Sequence, residues 1–364
     1  MKKFLCFFLF IVCAGTAAFA QADLQIVASV RLTRPEPITV RQLRVEMETM
    51  AYQALLQSQR RPPTSAEVSR MVQNTTIPER RQALELMINE RLMLQSAERA
   101  RITVSDNELN QHIGMLRAQM AQAAGRQPTE SEFVMAIRTQ TGLEMPAFRE
   151  QIRRQMIVQA YLMHRKGDQI RNVQQPTEAE IVNFYNLART NFIRPEAIRF
   201  TMIAVPHGPD AASRNRARDT ADRLNREIGG SPARFDDVVL RGQNPNSGFM
   251  AGDAGYAFRD LETQAVAGPD FMSVAFNLRQ GEVSRVIQGN GAYQIIKITE
   301  THAQRSLELD DIHELGTRIT VRQFIGGNMM MQRQQEAFVR ASNELIQELR
   351  TGNPFQIFEN NLNW

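Results

Sequence analysis

The hydrophobic period of this 364-residue chain changes twice, and nothing else in the sequence narrows the possible folds so far. From about Thr39 to Phe192 apolar residues recur at helical spacing. Between Ile198 and Thr299 stretches of strand-like pattern intervene, and after His302 the helical period returns. The last helix carries Phe338, Ala341, Leu345 and Leu349 on one stripe. Such a stripe is costly in water, so it is expected to fold back onto the amino-terminal helices. The fold class predicted is therefore α+β multidomain: an all-helical domain built from the N-terminal helices plus the C-terminal helix, with an inserted α+β domain of about four strands.

Local signals fill in this outline. Four S/T-x-x-E sequences, Thr64 to Glu67, Ser105 to Glu108, Thr129 to Glu132 and Thr177 to Glu180, predict helix starts, because hydroxyl and carboxylate can each satisfy an otherwise orphaned backbone N–H. The segment Glu79 to Glu98 is apolar around much of its circumference and reads as a core helix. Ile198 to Val205 (IRFTMIAV) is apolar on both faces, as a central strand should be. A polar helix from about Asp210 to Ile228, a helical turn at Phe235 to Leu240, a helix from Pro269 to Leu278 and closing strands at Val283 to Ile287 and Ala292 to Thr299 follow. Gly326-Gly327 is expected to break the final helical stretch, Gly352-Asn353-Pro354 to end it, and Phe355 to Phe358 to form a short strand.

Several function classes drop out. Lys2 and Lys3 precede an apolar run from Phe4 to Val12, and Ala18-Phe19-Ala20 supplies a small-x-small cleavage site, which together read as a secretory signal. No later stretch approaches the roughly 20 apolar residues of a spanning helix, so no transmembrane segment is expected. Both cysteines, Cys6 and Cys13, lie within that signal; cleavage after Ala20 leaves no thiol, while lipid attachment at Cys13 is the rival. The five histidines lack metal-site spacing, and no G-x-x-x-x-G-K loop occurs, so neither metal, nucleotide nor other cofactor is expected. Loss of the two signal lysines lowers the formal charge from +4 to +2, too weak a field to attract nucleic acid. Methionines such as Met115, Met120, Met145, Met156 and Met163 crowd the helical region, either as ordinary core filling or as an adaptable surface.

The middle segment resembles a parvulin-type (PpiC, rotamase) peptidyl-prolyl isomerase domain, through Arg199 to Val205 (RFTMIAV), Phe235 to Val239 (FDDVV), Gly252-Asp253-Ala254-Gly255, Phe271 to Leu278 (FMSVAFNL), Gly281 to Ser284 (GEVS) and Tyr293 to Lys297 (YQIIK). The surrounding order is similar to the SurA-like periplasmic chaperones, in Ile26 to Val30, Leu84 to Ala97, Ile102 to Leu109 and Thr177 to Tyr185. The resemblance implies a signal at 1–20, a helical chaperone domain at 21–195, a parvulin-like domain at 196–302 and a returning helical segment at 303–364. It also implies a periplasmic folding chaperone, a holdase whose partners are unfolded exported polypeptides, including outer-membrane barrel precursors.

Departures from the family pattern bear on catalysis. Where relatives carry histidines in the first and last strands, this chain has Met202 and Gln294. The expected proline pocket comprises Met202, Leu261, Phe271 and Gln294, with His207 as a possible displaced catalytic group. Turning an X–Pro bond means passing a twisted amide ~20 kcal/mol up, and methionine cannot support the hydrogen-bond network that relatives place around it. Isomerase activity is therefore expected to be weak or absent, with an active isomerase using a rearranged site, or a lipid-anchored envelope scaffold, as alternatives. Asp253 is expected to cap its own loop, and Ser284 has no partners for a nucleophile's role.

Overall fold

A computed structural model describes residues 23–244 and 246–364. The signal segment and Cys13 lie outside the described residues. The chain divides into two compact units, one formed by residues up to Val173 together with Arg333–Trp364, the other by Gln174–Gln332.

The first unit opens with strands β1 (Ile26–Val30) and β2 (Glu36–Thr39), then helices α1 (Val40–Gln59), α2 (Ser65–Gln73), α3 (Ile77–Arg99), α4 (Asp106–Ala124), α5 (Glu130–Thr141) and α6 (Met145–Arg171). Starts are set locally. Thr64, Ser105 and Thr129 each accept from the third residue's N–H while Glu67, Glu108 and Glu132 reach back to the cap N–H, and Thr39 with Gln42 does the same for α1. Leu84, Ile88 and Leu92 of α3 are fully buried together with Val27, Ile38 and Leu43, so α3 forms the centre of this unit.

The second unit runs α7 (Glu178–Leu187), β3 (Ile193–Arg194), β4 (Ala197–Pro206), α8 (Ala211–Ile228), α9 (Pro232–Gly242), β5 (Met250–Phe258), α10 (Leu261–Ala267), α11 (Pro269–Ala275), β6 (Ile287–Gln288), β7 (Ala292–His302) and β8 (Arg305–Ser306). Its main sheet has the order β5-β4-β7-β6 and is antiparallel throughout, with β3 and β8 pairing separately. One face of the sheet packs on α8 and α9 through Ile203, Val205, Tyr293 and Ile295. The other packs on α11 through Ile198, Phe200, Phe271 and Ile296.

Several sequence expectations are corrected here. The stretch Gly252 to Gly255, read as a turn, is the middle of β5; Gly255, at φ 76°, forms a bulge that lets the strand continue. Of the strand expected over Val283 to Ile287, only the isolated bridge at Val283 and the last residue persist. Gly326-Gly327 does not break a helix: α12 runs uninterrupted from Val321 to Arg350. A methyl at Gly326 would meet Ile181 Cδ1 at 3.4 Å, an ordinary contact, so α7 packs against this turn of the helix. The second unit also extends beyond 196–302. Ile181, Tyr185 and Phe192 bury themselves with Leu307, Val321 and Ile325, and the Tyr185 hydroxyl donates to the Leu307 carbonyl at 2.9 Å.

The later part of α12 belongs to the first unit. Ala341 and Leu345 are buried against Met93, Ala97, Tyr161 and Leu162, while Lys166 pairs with Glu348 at 2.7 Å. Strand β9 (Phe355–Ile357) then adds to the free side of β1, giving the order β2-β1-β9. Arg80 donates to the Leu362 and Trp364 carbonyls at 3.0 and 2.5 Å and stacks over the Trp364 ring at 4.0 Å.

Candidate functional site

Strand alternation decides whether Met202 and Gln294 share a site. Met202 of β4 lies opposite Ile296 of β7, and Ala204 lies opposite Gln294. Residues two apart on a strand face the same way, so Met202 and Gln294 are diagonal neighbours on one face, with strand positions roughly 7–8 Å apart. Met202 packs into the cluster that buries Phe271, and Gln294 pairs with Ile287 of the same cluster. The structure thus brings three of the four expected pocket residues onto one face.

Leu261 is not among them. It stands at the start of α10, 83 % exposed, and packs into none of the cores. Ala267 and Met272 occupy that flank instead, packed against Phe271's cluster. Phe200 also escaped the sequence reading; its ring sits 5.3 Å from that of Phe271, which is only 2 % exposed. Its position two residues before Met202 carried the signal, since both must face the same side. The two rings are buried together in the cluster against which Met202 packs.

The rim is more open. Gly252 of β5 lies opposite Met202, and a methyl group there would meet no atom within 4 Å. Met250, on the same face, is 61 % exposed. Across from them Gln294 Oε1 is buried and has no hydrogen-bond partner among the described residues. The amide is packed by the β6–β7 hairpin: a methyl at Gly289 would fall 2.8 Å from Gln294 Nε2. Of the paired positions on this part of the face, namely Phe200, Met202 and Ala204 on β4, Met250 and Gly252 on β5, Ile287 on β6 and Gln294 and Ile296 on β7, none titrates. These strand positions present apolar groups and one amide, and none of their own side chains can deliver or take up a proton.

His207 does not supply the missing imidazole. Its ring lies 5.5 Å from Tyr293, which packs with Val205 on the face covered by α8 and α9, and its Nδ1 is 3.1 Å from the Gly208 carbonyl. It therefore stands on the opposite side of the sheet from Met202 and Gln294. Asp253 accepts from the Gly255 N–H at 3.0 Å and pairs with Arg199 at 2.6 Å; those hydrogen bonds, Arg199's first, hold its carboxyl below the usual range. Ser284 is buried and accepts from the Ile296 N–H at 2.9 Å, which ties the loop before β6 to β7. Among the described residues no cluster of histidine, cysteine and carboxylates could hold a metal.

Family comparisons agree with this layout. Residues 3–162 match the model of the SurA-like N-terminal domain, and residues 176–314 match that of the PPIC-type PPIase domain. The chain carries a SurA-like N-terminal domain followed by a parvulin-type domain. Relatives include the chaperone SurA of Saccharophagus degradans, 26 % identical over 61 % of this chain and 48 % of that protein. The chaperone SurA of Pseudomonas fluorescens is 26 % identical over 64 % of this chain and 51 % of its own length, so the chain spans about half the length of these curated relatives. A solved structure from a study of the SurA-like chaperones PEB4 and Cj1289 of Campylobacter jejuni aligns over 92 % of this chain and 99 % of that one, with 12 % identity and a TM-score of 0.34. Among the described residues no helix is long and apolar enough to cross a membrane.

Proposed function

We propose that this chain is a periplasmic folding chaperone that holds unfolded exported polypeptides, outer-membrane precursors among them, and that its parvulin-type domain grips peptides while turning X–Pro bonds slowly or not at all. One observation carries the catalytic half of this reading: the sheet face bearing Met202 and Gln294 has no titratable side chain at its paired positions. An isomerase must favour the twisted amide over the planar one, and a preorganised polar network supplies much of that preference. Here a single amide and an apolar rim remain. Open space over Gly252, flanked by Met202 and Met250, supports retained peptide contact, because flexible thioethers adapt to different side chains.

Two assays on the full chain test this. Suppression of aggregation of a chemically unfolded outer-membrane barrel protein should rise with chaperone concentration and need no nucleotide. A protease-coupled assay on a prolyl tetrapeptide should give a rate close to the uncatalysed one. A second-order rate constant matching that of histidine-bearing parvulins would overturn the catalytic half, and no effect on aggregation would overturn the chaperone half.

A further inference from the structure

Arg80 and Arg194 are the buried arginines among the described residues, and only the first has its hydrogen-bond partners within the protein. Arg80 donates to the Thr75 hydroxyl and to the Leu362 and Trp364 carbonyls. Arg194 is 9 % exposed; its Nε is buried with no hydrogen-bond partner, and no carboxylate among the described residues pairs with its guanidinium. A buried cation without a counter-charge is unfavourable, because the hydration it loses is not replaced. Only Nε is sealed in this way. The terminal nitrogens keep access to solvent, and they mark the side from which a ligand can reach the group.

The backbone fixes this charge beside a second one. Strand β3, which carries Arg194, leads into β4, and β8 follows β7, so the β3–β8 ribbon forms where the chain enters and leaves the main sheet. Within the ribbon Arg194 lies directly opposite Arg305. Like charges in that position repel. Burial, and then the charge of Arg305, lower the Arg194 guanidinium from its usual value, while Asp311 acts the other way. Asp311 is already engaged, however: it pairs with Arg305 at 2.7 Å and accepts from the Glu308 N–H at 2.8 Å. Two cations and one anion leave a single positive charge, and it rests on the arginine with the least water around it. That balance restricts the ligand. A phosphate, at about −1.5 to −2 near pH 7, would exceed the charge to be matched and be repelled by Asp311. A neutral amide would leave the charge unmatched. A carboxylate brings one negative charge and two acceptor oxygens in the plane that a guanidinium fork fits.

We propose that Arg194 is the centre of a carboxylate-binding site on the β3–β8 ribbon, which takes one carboxylate group from a free organic acid or from an acidic side chain of a polypeptide. The assignment uses neither the Met202 and Gln294 face nor the chaperone reading.

The test uses the full chain, with thermal melts in sodium acetate, sodium chloride and sodium phosphate at equal ionic strength and pH 7.5; binding to the folded state raises Tm. Each salt's effect is taken as the difference between the unaltered protein and Arg194→Gln, which cancels general salt stabilisation. Acetate is expected to give a saturable difference, and phosphate a smaller one. Loss of the charge-assisted hydrogen bonds in Arg194→Gln should weaken acetate binding by about tenfold or more. Asp311→Asn, which keeps an acceptor for the Glu308 N–H and removes the competing charge, should enlarge the acetate effect, and it decides the matter if Arg194→Gln does not fold. Anisotropy of two labelled peptides that differ only in one glutamate or glutamine identifies the source. A glutamate preference that Arg194→Gln removes assigns a polypeptide carboxylate; without it, the acetate effect assigns a free acid. No acetate difference between the unaltered protein and Arg194→Gln, as when water alone meets the guanidinium, would overturn the site. An acetate effect that Asp311→Asn does not enlarge would do the same, and a phosphate difference as large as that of acetate would overturn the choice of carboxylate.

Discussion

Replacing Leu345 by alanine measures how firmly the returning helix is built into the first unit. Leu345 is 0 % exposed and packs among Met93, Ala97, Tyr161 and Leu162, side chains from two helices distant in sequence. Truncation removes three carbon atoms, worth roughly 2–2.5 kcal/mol in transfer terms at about 0.8 kcal/mol per buried methylene. Helices on both sides cannot collapse fully into the gap, so a cavity penalty adds to this and brings the expected loss to about 3–4 kcal/mol. For a unit of this size that corresponds to a fall in Tm of roughly 6–15 °C. Urea unfolding followed by circular dichroism gives the free energy, and hydrogen exchange should show lost protection in α3 and α6. Val339→Ala, at an exposed site on the same helix, is the control and should change stability by less than about 0.5 kcal/mol. A loss under 1 kcal/mol for Leu345→Ala, or equal effects of the two substitutions, would refute the packing argument.

Other outcomes follow from single groups. Burial, followed by the negative charge of Glu90, raises the Glu46 carboxyl above its usual 4.5 despite Arg154 and Arg91, so ionised Glu46 opposes folding above that raised value and the opposition fades as pH falls from there towards 4.5. Glu46→Gln should therefore be the more stable form at pH 7.5 in urea titrations, with the gap closing near pH 4; a wild type more stable at pH 7.5 would contradict this. Gly326→Ala should leave stability unchanged or raise it by up to about 1 kcal/mol, since a 3.4 Å contact with Ile181 is tolerable and alanine favours the helix, whereas Gly326→Val should lower Tm. Introducing histidine at both Met202 and Gln294 should raise prolyl isomerisation at least tenfold over the parent, as read by the protease-coupled assay, and neither single change should suffice. An unchanged rate in a folded double variant would show that these two positions do not limit catalysis.

Features that depend on nearby residues were legible in the sequence, and features that depend on distant ones were not. The capping boxes at Thr64, Ser105, Thr129 and Thr177 span three residues each and appear where the sequence puts them. The shared face of Met202 and Gln294 follows from strand alternation plus register. By contrast, Gly326-Gly327 has poor helix propensity, yet packing of α7 on α12 outweighs it. The segment Thr177 to Phe192 looks like one more N-terminal helix until Leu307 and Val321 are seen to cover it. Phe200 and His207 were decidable by parity alone, one on each face, whereas the exposure of Leu261 depended on how α10 seats over the sheet.

The pairing of β9 with β1 gives synthesis a direction. Val30 emerges early, but its neighbour Phe355 is made only after the whole of the second unit, so for most of translation the side of β1 that β9 will take presents a bare row of amides and carbonyls. Residues 174–332 find their partners among themselves and can mature while the first unit still waits. A protein read as guarding others during export would thus itself pass through a long interval with an open strand, closed only when its last helix and strand arrive.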